Sequence, residues 1–308
     1  MQKFLHIQDA AIGYQSPLIA HVESSLDLGE ICLLIGNNGV GKTTLIKSIL
    51  AQIPLLNGEV FINEKNIKNL TNKEIAQQIA IVFSKSYVPM HYTLVDLISL
   101  GKYIHYPYYF ELNKKDLEEI DEIVEKLNLC EYRNLPLRKL SDGNLQKAFI
   151  GRALAQNSPM IVLDEPTTHL DEDNKVMILA LLRTLAKKQN KLILFSSHDW
   201  RLAKEFSDKI WWIQDKKLVS GITEDVLLSH QFLVHPKLFS LNSNFVAPEI
   251  TAPLLEKEML YSALQKNIEK DLSSLTISFD RDKWWINSRG FSSIEELISC
   301  LLEKFQKE

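Results

Sequence analysis

Residues 30–44, EICLLIGNNGVGKTT, constrain the fold of this chain more than any other stretch. The run from Ile31 to Ile35 has no polar face, so a strand built from it must be buried on both sides, as strands of a parallel sheet are. Glycine ends the run, and TTLIKSILAQI resumes with helical spacing until Pro54 closes it. Between strand and helix the spacing is G-x-x-x-x-G-K-T, that of a loop whose backbone N–H groups curl inward around phosphate. Gly36, Gly39 and Gly41 permit that curl, and the helix N-terminus adds partial positive charge. Lys42 is then set to neutralise β- and γ-phosphates, and Thr43 to offer its hydroxyl to Mg²⁺.

More strands of the same kind follow. IAIVF (79–83), MIVLDE (160–165) and LILFSS (192–197) are short apolar runs, and a helix over roughly 172–188 joins the last two. Buried strands joined by crossover helices predict a doubly wound α/β sheet. FLHIQDAAIGY reads as an opening strand and GEVFINEKNI as a hairpin strand. KIWWIQDKKLVSG reads as a hairpin turning at Asp215-Lys216, with Trp211 and Trp212 as sheet packing. In NKKDLEEIDEIVEKLNL, Leu117, Ile120, Val124 and Leu127 share one helix face, and Asn113 with Asp116 marks its start. From about residue 222 the character changes. A polar loop with three prolines precedes a helix near 254–270, a hairpin TISFDRDKWWINS and a closing helix headed by Ser292/Ser293 and Glu295/Glu296. This is read as a small appended α+β unit that carries no recognisable chemistry.

Two further motifs belong with the phosphate loop. In MIVLDEP, a strand ends on Asp164, placed to reach the Mg²⁺ shell, and Glu165, placed to polarise a water as general base. FSSHD puts His198 at the end of the next strand, the edge where a parallel sheet binds ligands, so its imidazole can sense the γ-phosphate. A third stretch, LSDGNLQK (140–147), heads a helix over 144–155 and leaves Ser141 and Gly143 at its N-terminal lip. Alone it would be an ordinary helix cap.

The order of these motifs gives it another meaning. A phosphate loop, a helical insertion, LSDGN, a strand ending in two acids and then a histidine resembles the ABC ATPase family, in which LSDGN stands where Leu-Ser-Gly-Gly-Gln is usual. EPTTHLD (165–171) resembles the loop linking the two sites of an ABC dimer, and Tyr14 stands where the family stacks an aromatic ring on adenine. The resemblance covers residues 1–221, with a helical subdomain over about 86–155, and leaves 222–308 as a C-terminal extension. It implies a P-loop NTPase of the ABC ATPase fold that binds ATP and Mg²⁺ and forms a head-to-tail homodimer. Nucleotide contacts are expected from Tyr14, Gly36, Asn37, Asn38, Gly39, Val40, Gly41, Lys42, Thr43 and Thr44. Ser141 and Gly143 would close over the partner's γ-phosphate, Glu165 and His198 would be catalytic, and Thr43 and Asp164 would hold the metal.

Three positions depart from the family pattern. Asp142 replaces a glycine and Asn144 a glutamine within the signature. An acid in a helix's first turn suits the dipole, and the alternation with Ser141 and Gly143 allows its carboxylate to point away from the nucleotide; pointing in, it would repel ATP. After IAIVF the family has a glutamine that reaches Mg²⁺ and the attacking water; this chain has Ser84. A hydroxyl is shorter, though able to bind a Mg²⁺-bound water, so altered, slower hydrolysis is expected.

The stretch HYTLVDLISLGKYIHYPYYF (91–110) resembles ATPases of importers for iron-siderophores, haem and vitamin B12. Those show Thr-Val-x-x-Leu-Val-x-x-Gly-Arg-x-Pro-His, which Thr93, Val95, Leu97, Gly101, Lys102 and His105 follow, with Ile104 where proline is usual. This implies a peripheral subunit on the cytoplasmic face of a membrane, partnered by a permease and, indirectly, a periplasmic or surface binding protein. Tyr103, Tyr106, Tyr108 and Tyr109 either meet the permease or cover the helical subdomain. Bulk properties agree: no apolar run reaches the ~18 residues of a membrane span, and no signal peptide opens the chain. Net charge is -4, against bulk nucleic-acid binding. Three scattered cysteines suit a reducing compartment. The alternatives are a soluble ABC ATPase acting on ribosomes or DNA, which would carry a second cassette or a long coiled coil, and a weakly hydrolysing regulatory subunit, which Ser84 and Asp142 would favour.

Overall fold

A computed structural model describes residues 3–84, 91–106, 111–168, 170–197, 206–229, 246–268 and 270–305. Two compact units divide the chain, 1–234 and 235–308. The first runs Leu5–Gly13 (β1), Pro17–Leu26 (β2), Ile31–Ile35 (β3), the helix Lys42–Ile49 (α1), Asn57–Ile62 (β4), Lys65–Asn66 (β5), Asn72–Gln78 (α2) and Ile79–Val82 (β6). The helices Leu94–Ser99 (α3), Lys114–Lys126 (α4) and Asp142–Gln156 (α5) follow, then Met160–Asp164 (β7), Glu172–Gln189 (α6), Leu192–Ser197 (β8), Lys209–Gln214 (β9) and Lys217–Ile222 (β10).

β3, β6, β7, β8, β9 and β10 form one sheet of order β10-β9-β3-β8-β7-β6, parallel except for the β9–β10 hairpin. The apolar run of β3 has a direct cause in this arrangement. Ile31, Leu33 and Ile35 enter one core with Leu97, Ile120, Ile150 and Leu182, while Cys32 and Leu34 enter a second core with Ile7, Val22, Leu45 and Ile46. β7 and β8 alternate the same way, Leu163 and Phe195 to the first core, Val162 and Leu194 to the second. Each of these strands is therefore covered on both faces. A four-stranded antiparallel sheet, β2-β1-β4-β5, supplies the outer wall of the second core.

Helix α5 is tied to the edge strand β6 by side chains. Arg152 donates from Nη2 to the Ile81 carbonyl at 3.0 Å, and Gln156 donates from Nε2 to Ile79 at 3.1 Å. Against the same helix lies Gly101, where a Cβ would come 2.2 Å from the Arg152 carbonyl oxygen.

The second unit is α+β, as expected. Glu249–Thr251 (β11), Thr276–Asp280 (β12), Lys283–Ile286 (β13) and Arg289–Phe291 (β14) make a sheet in that order, with helices Leu254–Asn267 and Ile294–Phe305. Its core holds Leu260, Leu264, Ile277, Trp284, Phe291 and Leu297. Ser293 accepts from the Glu296 N–H, and the Glu296 carboxylate accepts from the Ser292 N–H.

Several expectations need correction. A helix at Thr223–Ser229 buries Val226 and Leu227 in the first core, so the first unit extends beyond residue 221. Helix α5 begins at Asp142 rather than 144, because Ser141 is its N-cap, and the helix expected to reach 270 ends at Asn267. Leu117 is 43 % exposed; α4 buries Ile123 beside Ile120 and Val124 instead, which rotates its inner face away from the first turn. Among the described residues, no helix is long and apolar enough to cross a membrane.

Candidate active site

The parallel register brings the ends of β3, β7 and β8 to one edge, with Leu34 opposite Ser196 and Ser196 opposite Asp164. The loop after β3 turns on Gly39 at φ 79° and Gly41 at φ 112°, backbone conformations that side chains disfavour. Gly36 opens the loop, Asn37 and Asn38 are exposed, and the Val40 N–H donates to the Asn37 carbonyl at 3.3 Å. Thr44 is buried in the first turn of α1.

The start of α1 differs from that of every other helix in the numbered series. Thr71, Thr93, Asn113, Ser141 and Asp171 each cap their helix through a side-chain oxygen, and each of these helices has an acid in its first turn. Gly41 provides no side-chain cap and α1 has no acid there. The first N–H groups of α1 thus face the loop without a side-chain acceptor, the arrangement an anion completes.

Lys42 is only 7 % exposed. Its Nζ donates to the Gly36 carbonyl at 2.8 Å and the Asn37 carbonyl at 3.3 Å, so the ammonium is held against the loop. Burial lowers its pKa, and the nearby carboxylates of Glu165 and Asp164 oppose that shift. Thr43 donates from Oγ1 to Asp164 Oδ2 at 2.8 Å. These two oxygens are adjacent, hard donors, the kind Mg²⁺ takes alongside phosphate oxygens and water, so the residues present fit that ion.

Glu165 sits half-buried at φ 52°, a left-handed backbone unusual for a residue with a long side chain. Its recorded hydrogen bonds, with Ser196 and Thr168, are made by the backbone N–H and carbonyl. Ser84 is exposed, two residues beyond β6. Tyr14 is 63 % exposed, available for stacking on a base. His198 lies outside the described residues, as do Tyr108 and Tyr109.

Ser141 caps α5 by accepting from the Asn144 N–H at 3.3 Å, and Asp142 is exposed in the first turn with Gly143 beside it. Deeper in α5, Lys147 is buried. Burial lowers its pKa, and the carboxylate of Asp171, which caps α6, opposes that shift. Lys102 is buried as well, paired with Asp116 at 3.4 Å and with Glu119, and Tyr106 donates its hydroxyl to Asp116. The His105 Nε2 donates to the Gln156 carbonyl at 2.7 Å. Tyr106 and His105 thus brace the helical segment, while Tyr103 is exposed.

Sequence reasoning missed Ser196, which donates to Asp164 Oδ1 at 2.6 Å and accepts from the Glu165 N–H at 2.9 Å. A serine within an apolar strand gives no signal until the β7–β8 register is known.

Residues 19–168 match the family model for the ABC transporter. The iron(3+)-hydroxamate import ATP-binding protein FhuC of Bacillus subtilis is 35 % identical over 204 residues, 66 % of this chain and 76 % of that one. A solved metal-chelate type ABC transporter in an inward-facing conformation superposes with TM-score 0.66 at 25 % identity, covering 76 % of this chain and 89 % of its own. A dimeric ATP-binding cassette in a post-hydrolysis state, bound to ADP and Pi, superposes with TM-score 0.65 at 23 % identity, over 71 % and 98 %. The fold and the phosphate loop define a P-loop ATPase of the α/β class. The chain belongs to the ABC transporter ATP-binding family and is an ATP-binding subunit with ATPase activity.

Proposed function

We propose that this subunit powers uptake of a metal chelate, of iron-siderophore type, through a membrane permease on whose cytoplasmic face two copies dock. One observation carries the site assignment: the uncapped α1 opens onto Lys42, and Thr43 and Asp164 meet at 2.8 Å beside Glu165. In this reading the N–H groups of residues 36–44 and Lys42 hold the phosphates. Thr43 and Asp164 hold Mg²⁺, which when bound supplies charge neutralisation at the β- and γ-phosphate oxygens. Tyr14 stacks on adenine, Glu165 takes the proton of the attacking water and His198 contacts the γ-phosphate. Ser141 and Gly143 of a second copy complete the pocket across a head-to-tail homodimer. Binding energy of the γ-phosphate across that interface favours the closed dimer, and hydrolysis removes it.

The importer reading is supported by FhuC, whose name states iron(3+)-hydroxamate import, and by the metal-chelate type neighbour. The stretch from Thr93 to His105 agrees with it. Exposed Ser84 and Asp142 favour a second reading, a slowly hydrolysing regulatory subunit. Two experiments decide. Purifying the membrane complex should yield a permease and a metal chelate; a protein that stays soluble with no permease sinks the importer reading. Glu165→Gln should lower kcat by about 10²–10⁴ and leave a stable ATP-bound dimer; a wild-type protein already as slow as this variant supports the regulatory reading.

A further inference from the structure

We propose that Ser196 is a positioning residue for hydrolysis, orienting Asp164 and Glu165 together; this rests on the roles proposed above for those two acids. Ser196 is fully buried on β8, directly opposite Asp164 in the parallel register. Its hydroxyl has one proton to give, and it gives it to Asp164 Oδ1 at 2.6 Å. The same oxygen accepts the Glu165 N–H at 2.9 Å. One hydroxyl therefore fixes the carboxylate of the first acid and the peptide that joins it to the second.

Each bond has a distinct consequence. Asp164 can rotate about its side chain, but with Oδ1 held by Ser196 its other oxygen, Oδ2, is directed at Thr43. In this rotamer Oδ2 accepts from the Thr43 hydroxyl, and the two make up the pair proposed to hold the metal. The Glu165 backbone is left-handed at φ 52°, a conformation that needs its surroundings to hold it. The Ser196 oxygen holds it from the N–H side, and the Thr168 hydroxyl, donating to the Glu165 carbonyl at 3.2 Å, holds it from the other. Alanine at 196 would release both acids at once, leaving a buried carboxylate oxygen and a buried N–H unpaired.

The test compares Ser196→Ala, Ser196→Cys, Ser196→Thr and Asp164→Asn with wild type in the full-length protein. Mn²⁺ binding to the ADP complex is read by electron paramagnetic resonance, ADP binding in EDTA by calorimetry, and kcat and KM for ATP separately. Ser196→Ala should weaken Mn²⁺ at least about tenfold and lower kcat more than it raises KM, with metal-free ADP binding unchanged within about twofold. Cysteine, a near-isosteric but weak donor, should fall between, and threonine, which restores the hydroxyl, should recover most of both. Should the alanine variant not fold, the cysteine and threonine variants decide by the same readings. Wild-type Mn²⁺ affinity and kcat in the alanine or cysteine variant would overturn the proposal. So would an equal loss of metal-free ADP binding, because that marks a general packing defect. Asp164→Asn separates the two levels: if it leaves Mn²⁺ binding intact, the metal-site reading itself fails.

Discussion

Thr43 Oγ1 and Asp164 Oδ2 stand 2.8 Å apart although the two residues are 121 positions apart in the chain. The contact joins the first turn of α1 to the end of β7. Removing the hydroxyl leaves an oxygen of a 2 % exposed carboxylate short of a donor. Thr43→Ala is expected to cost about 1–3 kcal/mol of stability and to abolish most of the Mg²⁺-dependent gain in ADP affinity. Urea denaturation reads the first effect and calorimetry with and without Mg²⁺ the second.

Lys42 makes nucleotide affinity pH-dependent on the alkaline side. Phosphate favours the charged ammonium, and burial lowers the pKa below the ordinary 10.5. ATP affinity should therefore fall with rising pH, beginning before an exposed lysine would lose its proton. Lys42→Ala should bind weakly and show a flat profile over that range. For folding the sign is opposite: between the lowered and the ordinary pKa the unfolded chain holds more protons, so this residue's contribution to stability grows as pH rises.

Ser84→Gln lengthens the side chain that follows β6 toward the reach the family normally has. Turnover in the assembled transporter should rise, with ATP affinity little changed. A variant no faster than wild type would count against the shortness of Ser84 as a limit on hydrolysis.

Gly101→Ala tests the packing of the helical segment on α5. Its Cβ would sit 2.2 Å from the Arg152 carbonyl oxygen and 2.9 Å from the Ala155 Cβ, neither able to yield as a flexible side chain would. A loss of about 1–3 kcal/mol is expected, the usual range for overpacking, visible as a lower denaturation midpoint. ADP affinity of the folded fraction should be unchanged.

What was legible in the sequence follows from physics that acts locally. Ile31–Ile35 announced a doubly covered strand because no polar residue interrupts it, and Asp215-Lys216 announced a turn that the structure closes with φ values of 47° and 61°. The helix start read at Asn113 and Asp116 is present, and it takes the form of a capping box. Leu117 was misjudged because four helical positions at the right spacing do not say where the neighbouring layer ends. The helix Thr223–Ser229 was hidden by its short length and polar opening, and only its packing on the first core gives it a reason to form. The contacts of Ser196 depend on strand register, which no local pattern carries.

The side chains that α5 lays along β6 bear on assembly. β6 ends the six-stranded sheet, and a bare edge strand is a template on which another chain can add by backbone pairing. Here the outward carbonyls of Ile79 and Ile81 are already taken by Gln156 and Arg152. Those two carbonyls are therefore not open to the backbone of a strand added along that border.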